Sequence, residues 1–217
     1  MDKNKIKSLE QLNIFLNEDK IKLFDEYERI FLEKNSLINL ISKNDEKFLF
    51  EKHIFDSLAI NLVKPFNNDA SLLDIGTGGG FPAVPITILY DEINVFAVDS
   101  IRKKIKVVEE IKETLGLRNL FPVCDRVENI RQEFDYITTR AVAPLDVILK
   151  YAIPHLKKGG YFIAYKSKKV SDEIKQAEKT IKSQKIKLTF IHHSPFTIHL
   201  LKHSAAFCRA KITVPFL

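Results

Sequence analysis

The sequence predicts an α/β fold, a mostly parallel sheet with helices on both faces, entered through a helical N-terminal segment. Three observations carry this. From Leu72 onward, short apolar runs alternate with amphipathic helical stretches, as strands joined by crossover helices do. Residues 1–66 show helical spacing and no strand-like run. Between these regions, Leu72-Leu73-Asp74-Ile75 runs directly into Gly76-Thr77-Gly78-Gly79-Gly80. That puts a glycine loop at the carboxyl end of a strand, where open α/β sheets bind ligands.

The elements follow in order. Leu9, Leu12, Phe15 and Leu16 repeat at helical intervals, as do Phe24, Tyr27 and Phe31. Asn17 to Lys20 breaks the first run. Ser42 to Asp45 breaks the second and offers Asn44 or Asp45 as a cap for a helix over Phe48 to Val63, which Pro65 ends. These helices are too amphipathic to stand alone, so residues 1–66 form a cap on a core of residues 67–217. In the core, strands are expected at 72–75, 94–98, 120–124, 134–138 and 161–165, and helices at 83–90, 102–115, 145–156 and 171–184. Gly159-Gly160 is expected to stop the helix at 145–156. The tail reads as two strands, 187–191 and 205–214, joined by a loop at 193–204 that contains Ser194-Pro195. Such a pair ends the sheet antiparallel, giving seven strands.

Composition narrows the function classes. With 217 residues, 45% hydrophobic and 29% charged, the chain suits a globular body with one sizeable core. Net charge +6 and a pI near 9.1 favour an anionic partner. The two cysteines, Cys124 and Cys208, sit in apolar contexts and form no disulfide framework. His192, His193, His199 and His203 lack the acids or cysteines that would complete a metal site, so no metal is expected. No run approaches a membrane span, and the charged N-terminus is unlike an export signal. A cytoplasmic location is expected.

The glycine loop selects a ligand. A dinucleotide site wants G-x-G-x-x-G, but the sixth position counted from Gly76 is Phe81, and counted from Gly78 it is Ala83. Asp74 would oppose a pyrophosphate. An adenosine-bearing cofactor with a cationic amine and no phosphates suits the loop better. Asp99 closes the second strand, where a carboxylate can accept both hydroxyls of a ribose. Asp125, Arg126, Val127 and Glu128 follow the third strand at the height of an adenine. Asp74 either orients the loop or meets the cofactor amine through water.

Together these residues resemble the class I S-adenosylmethionine-dependent methyltransferases. More narrowly, the chain is similar to the bacterial small-subunit rRNA guanine-N7 methyltransferases, the glucose-inhibited division protein B family. The resemblance rests on Asn39-Leu40-Ile41, His53 to Leu58, Asp74 to Pro82, Arg126-Val127-Glu128 and Thr139 to Ala143, and covers nearly the whole chain. It departs at Thr77, Gly79, Ala83 and Lys166-Ser167, where the family has serine, alanine, glycine and lysine-glycine. Gly79 is expected only to loosen the loop, while Ala83 and Ser167 each add a side chain.

The resemblance implies S-adenosylmethionine as cofactor and transfer to N7 of a guanosine at the family's position 527 in 16S rRNA, naked or within the 30S subunit, by a monomer. It implies donor binding by Asp74, Gly76, Thr77, Gly78, Gly80, Phe81, Asp99, Asp125, Arg126, Val127, Glu128 and Arg140. Substrate RNA falls to Arg140, Lys166 and His53, with Arg140 and Arg126 positioning the base and no general base expected. Guanine N7 already presents a lone pair, so alignment carries the reaction. Phe81 either walls the methyl donor or packs beneath the loop. His53 and Asp56 share a helical side and read alone as a helix–sheet hydrogen-bond pair. Arg102, Lys103, Lys104 and Lys106 are either phosphate contacts or a solvated helix face. The alternatives are a small-molecule methyltransferase and a non-catalytic RNA-binding assembly protein.

Overall fold

The computed structural model describes residues 1–62, 66–166, 170–183, 186–192, 197–203 and 210–212. Val63, Pro65, Ser167, His193, Ser194, Pro195 and Cys208, all raised by the sequence, lie outside them, as does most of the strand expected at 205–214. So do the side chains of the four tail histidines.

The chain opens with α1 (Lys3–Glu10) and α2 (Glu18–Ile38), capped by the side chains of Asp2 and Asn17. A short α3 (Lys43–Glu46), capped by Ser42, takes in Asn44 and Asp45, so neither caps the helical segment after it, which starts behind Leu49 with no side-chain cap. The single helix expected over 48–63 is instead a π-helical turn, Phe50–Phe55, then α4 (Asp56–Leu58) and a 3-10 turn, Ala59–Leu62. Apolar spacing cannot distinguish these, because it does not register which carbonyl each N–H selects.

The core runs β1 (Ser71–Ile75), α5 (Ala83–Leu89), β2 (Asn94–Val98), α6 (Arg102–Leu115), β3 (Leu120–Val123), β4 (Phe134–Arg140), α7 (Leu145–Ala152), β5 (Leu156–Lys166) and α8 (Val170–Ser183). Gly159-Gly160 does not end a helix as expected. Pro154, which lacks an N–H, sits in a 3-10 turn after α7, and both glycines lie inside β5. The tail holds β6 (Ile186–His192), β7 (Thr197–His203) and β8 (Ala210–Ile212).

The sheet order is β3-β2-β1-β4-β5-β7-β6-β8. The α/β class is as expected, but the described sheet has eight strands, not seven. The stretch 197–203, expected as loop, is β7, paired antiparallel to both β5 and β6. Ile198 and Leu200 alternate as strand residues do, but the neighbouring Ser194-Pro195 and histidines obscured the pattern.

Strand alternation feeds two cores. Leu72, Val95, Ala97 and Tyr136 face one with the N-terminal helices, α5 and α6. Leu73, Ile75, Val98 and Ile137 face the other with α7 and α8. The order reverses between β1 and β4, which places the glycine loop at the switch point. No helix of the described residues is long and apolar enough to cross a membrane.

Candidate active site

The loop after β1 is fixed by main-chain bonds. Gly76 and Thr77 N–H groups both donate to the Val98 carbonyl, and those of Gly80 and Phe81 donate to the Thr77 carbonyl. Gly78 has φ +56°, and a Cβ there would meet nothing nearer than the Gly76 carbonyl at 4.0 Å. It leaves a bare backbone facing open space. Gly76, at φ +72°, is glycine for another reason, since Val142 occupies the place of its missing Cβ. Gly79 does not loosen the loop as expected. Its added Cβ would lie 2.9 Å from the Phe31 ring and 3.3 Å from Leu40, so α2 packs directly on it. Ala83 is fully buried in the core and needs no glycine.

The loop borders a cavity of about 710 Å³. Gly76, Thr77, Gly78, Phe81, Asp99, Asp125, Arg126, Val127, Glu128, Arg140 and His53 all line it, so most of the sequence-predicted residues come together. Three do not. Asp74 lies behind the loop, fully buried, with Thr138 across the β1–β4 register donating to it at 2.8 Å. Burial pushes its carboxyl up to about 6, against nearby Thr77, Thr138 and the Ala83 N–H. Thr77 Oγ1 and Asp74 Oδ2 are both buried without a hydrogen-bond partner among the described residues. Gly80 packs against Val84 instead of the cavity. Lys166 is also absent from the lining. It is buried and bonded to Glu173 and to the Ala143 carbonyl, which opposes a free phosphate contact.

At one end, the Asp99 carboxylate accepts from Gly78 N–H at 3.0 Å and from Ile101 N–H at 2.9 Å, with Lys104 at 3.9 Å. Each oxygen keeps a second lone pair for a ribose hydroxyl. Ile101, 41% exposed, and Val127 supply apolar surface beside it. Asp125 is turned to its own loop, accepting from Arg126 N–H and Asn129, and these bonds hold its carboxyl below the usual range. A buried-edge carboxylate, a bare glycine backbone and apolar flanks fit an adenosine-bearing ligand.

The other end centres on Arg140, at the end of β4. It donates to the Lys52 carbonyl at 2.7 Å and to His53 Nδ1 at 3.0 Å, both on the π-helical turn, and lies 5.9 Å from the Phe81 ring centroid. Arginine only donates, so His53 Nδ1 accepts and its proton resides on Nε2. Burial, then Arg140, pushes His53 down to about 4. Burial pushes Asp56 up to about 7, opposed by Arg140. Burial lowers Arg140 itself, opposed by Asp56, Tyr165, Asp74 and Tyr27. Phe81 has contacts on both sides. It is buried against Tyr27, Phe31 and His53 and still lines the cavity.

The sequence reading missed Ile101, Val142 and Tyr151, three exposed apolar side chains that line this cavity. Ile101 carried a signal, since an apolar residue stands where a helix N-cap usually has a polar one. Arg102 pairs with Glu109 through two 3.1 Å bonds, as a solvated helix face would.

A family model described as GidB, rRNA small subunit methyltransferase G, matches residues 20–200. The chain is 36% identical over 179 residues to the ribosomal RNA small subunit methyltransferase G of Lachnoclostridium phytofermentans, covering 80% of this chain and 74% of that one. It is 38% identical over 182 residues to that of Staphylococcus epidermidis, covering 78% and 76%. Among solved structures, a SAM dependent methyltransferase from Aquifex aeolicus superposes with TM-score 0.57 at 16% identity, over 74% of this chain and 94% of that one. A ribosomal protein L11 methylase from Lactobacillus delbrueckii also gives 0.57, at 13% identity over 70% and 79%. At these identities the two structures attest the fold alone.

Proposed function

The chain belongs to the GidB family, rRNA small subunit methyltransferase G, and from that premise we propose that it methylates N7 of a guanosine at the family's position 527. The coarser activity follows from membership: methyl transfer from S-adenosylmethionine to a guanine of 16S rRNA. One observation supports the finer reading best. A single cavity joins Asp99, ready for a ribose, to Arg140, anchored on the π-helical turn beside Phe81.

When bound, S-adenosylmethionine supplies a methyl group on a positively charged sulfur. Asp99 would hold the ribose hydroxyls, Ile101 and Val127 the adenine faces, and the loop backbone at Gly78 the remaining chain. Arg140 would orient the acceptor base or its phosphate, with Phe81 as the apolar wall. Guanine N7 needs no deprotonation, so the protein aligns the pair and excludes water. We also propose that residues 1–66 cap a donor-binding core of residues 67–217. Phe31 and Leu40 against Gly79, and Leu40, Ile41 and His53 at the cavity, support this. The reading extends to a monomer acting on 16S rRNA or the small subunit in the cytoplasm.

The test uses labelled methyl donor with naked 16S rRNA, intact small subunits or free nucleosides, followed by mapping of the modified atom. Label at guanine N7 of one rRNA position is expected. Transfer to free nucleosides alone would favour a small-molecule enzyme. Donor binding without transfer to any substrate would defeat the reading.

A further inference from the structure

Lys166 extends from the end of β5 toward the segment between β4 and α7. Its Nζ donates to the Ala143 carbonyl at 2.5 Å and pairs with Glu173 Oε2 at 2.8 Å. The same Glu173 oxygen accepts the Leu145 N–H at 2.8 Å. One ion pair thus grips the chain on both sides of Pro144. The segment needs it. Ala141 has φ +55°, a left-handed conformation that a non-glycine residue keeps only when its surroundings enforce it. Pro144 gives α7 no side-chain cap, so Glu173 on α8 accepts an N–H that would otherwise lack a partner within its own helix. From the end of β4 to the clamp run Arg140, Ala141, Val142 and Ala143, all lining the cavity. Val142 also covers Gly76.

We infer that Lys166 and Glu173 are positioning residues, a half-buried ion-pair clamp that sets the Arg140–Ala143 wall against which the acceptor guanine is aligned. The inference rests on the proposed methyl transfer. It replaces a direct lysine–phosphate contact with an indirect role, and it gives Glu173, outside the cavity, a share in the reaction. A lysine committed to a carboxylate and a carbonyl has few donors left for RNA. A wall displaced by about 1 Å costs rate through misalignment, roughly 100-fold at that scale.

The test compares the full chain with Lys166→Met, Glu173→Ala and the double variant, each checked by circular dichroism. The clamp predicts that each single change lowers kcat roughly 10- to 100-fold. The double variant should be no worse than the poorer single, because one unit has been removed. The dependence of RNA affinity on salt should not change. Exchange of the Leu145 amide, read without RNA, should quicken at least about tenfold in Glu173→Ala. If Lys166→Met does not fold, Glu173→Ala still decides.

A salt slope lowered by about one in Lys166→Met, with transfer intact in Glu173→Ala, would mark a phosphate contact and overturn the clamp. Additive losses would overturn it too. If the unaltered protein transfers no methyl group to rRNA, the proposed function fails. The clamp then stands or falls on the Leu145 exchange, and unchanged exchange in Glu173→Ala defeats it.

Discussion

At the Asp99 end of the cavity, polarity is main-chain amide paired with carboxylate. At the Arg140 end it is side chain, much of it buried and lacking a hydrogen-bond partner. Asp99 holds two N–H groups at ordinary distances. Around Arg140, Tyr27 Oη, His53 Nε2, Asp56 Oδ2 and Thr139 Oγ1 have no partner among the described residues, and Asp56 and His53 titrate far from their usual ranges. A backbone-built end is preorganised for one ligand shape. A side-chain-built end carries electrostatic stress, which a bound group can relieve and a single substitution can unbalance.

The sharpest way to break the comparison is to remove one residue from each end. Arg140→Ala should lower methyl transfer to small subunits by at least roughly 100-fold, with a smaller loss of donor affinity. Asp99→Ala should reverse the bias. Two charge-assisted bonds at about 1.5 kcal/mol or more each make a donor Kd at least tenfold weaker, with RNA affinity retained. Calorimetry for the donor and filter binding for RNA separate the two. Equal losses in both variants would mean that the ends are not distinct.

Titration probes the stressed end together with the buried acid behind the loop. Asp56, raised to about 7, binds more protons folded than unfolded between about pH 4 and 7, so its contribution makes stability fall as pH rises through that window. Asp74, raised to about 6, acts in the same direction. His53, lowered to about 4, has the opposite sign, and its contribution is lost as pH falls from about 6.5 toward 4. Asp56→Asn removes one falling contribution. Its melting temperature relative to the unaltered protein should climb from pH 4 to 7 and level above, a gain on the order of 1 kcal/mol or more. A gap that does not vary with pH would show that Asp56 is not held neutral by burial.

The same division governs how much the sequence disclosed. The backbone-built end was legible, because glycine spacing and an acid at a strand end are local patterns, and Gly78 and Asp99, each read as a ligand residue, line one cavity. The stressed end depends on distant pairings. His53 was visible in the sequence, but its contact with Arg140, 87 residues away, exists only because a π-helical turn aims two carbonyls at β4. Lys166 was chosen for its charge, yet Glu173 on α8 claims that charge. The tail strand β7 was hidden because proline and histidines beside it mimic a loop.

Gly79 tests where the cap meets the backbone-built end, with the smallest expected effect. The resemblance puts alanine there, which on sequence alone makes Gly79→Ala a return to a tolerated residue. In this chain Phe31 stands 2.9 Å from the position of the new methyl group, and a ring edge must give way. Phe31 is fully buried between Tyr27 and Phe81, so it has little room to retreat. Overpacking of this kind costs about 1 kcal/mol. The backbone of Gly79 lies outside the left-handed region, so no strain adds to that cost. The melting temperature should fall by a few degrees with donor affinity nearly unchanged, because Gly78, not Gly79, lines the cavity. Pairing Gly79→Ala with Phe31→Leu should recover part of the loss. No recovery would place the cost in the loop itself and not in its contact with α2.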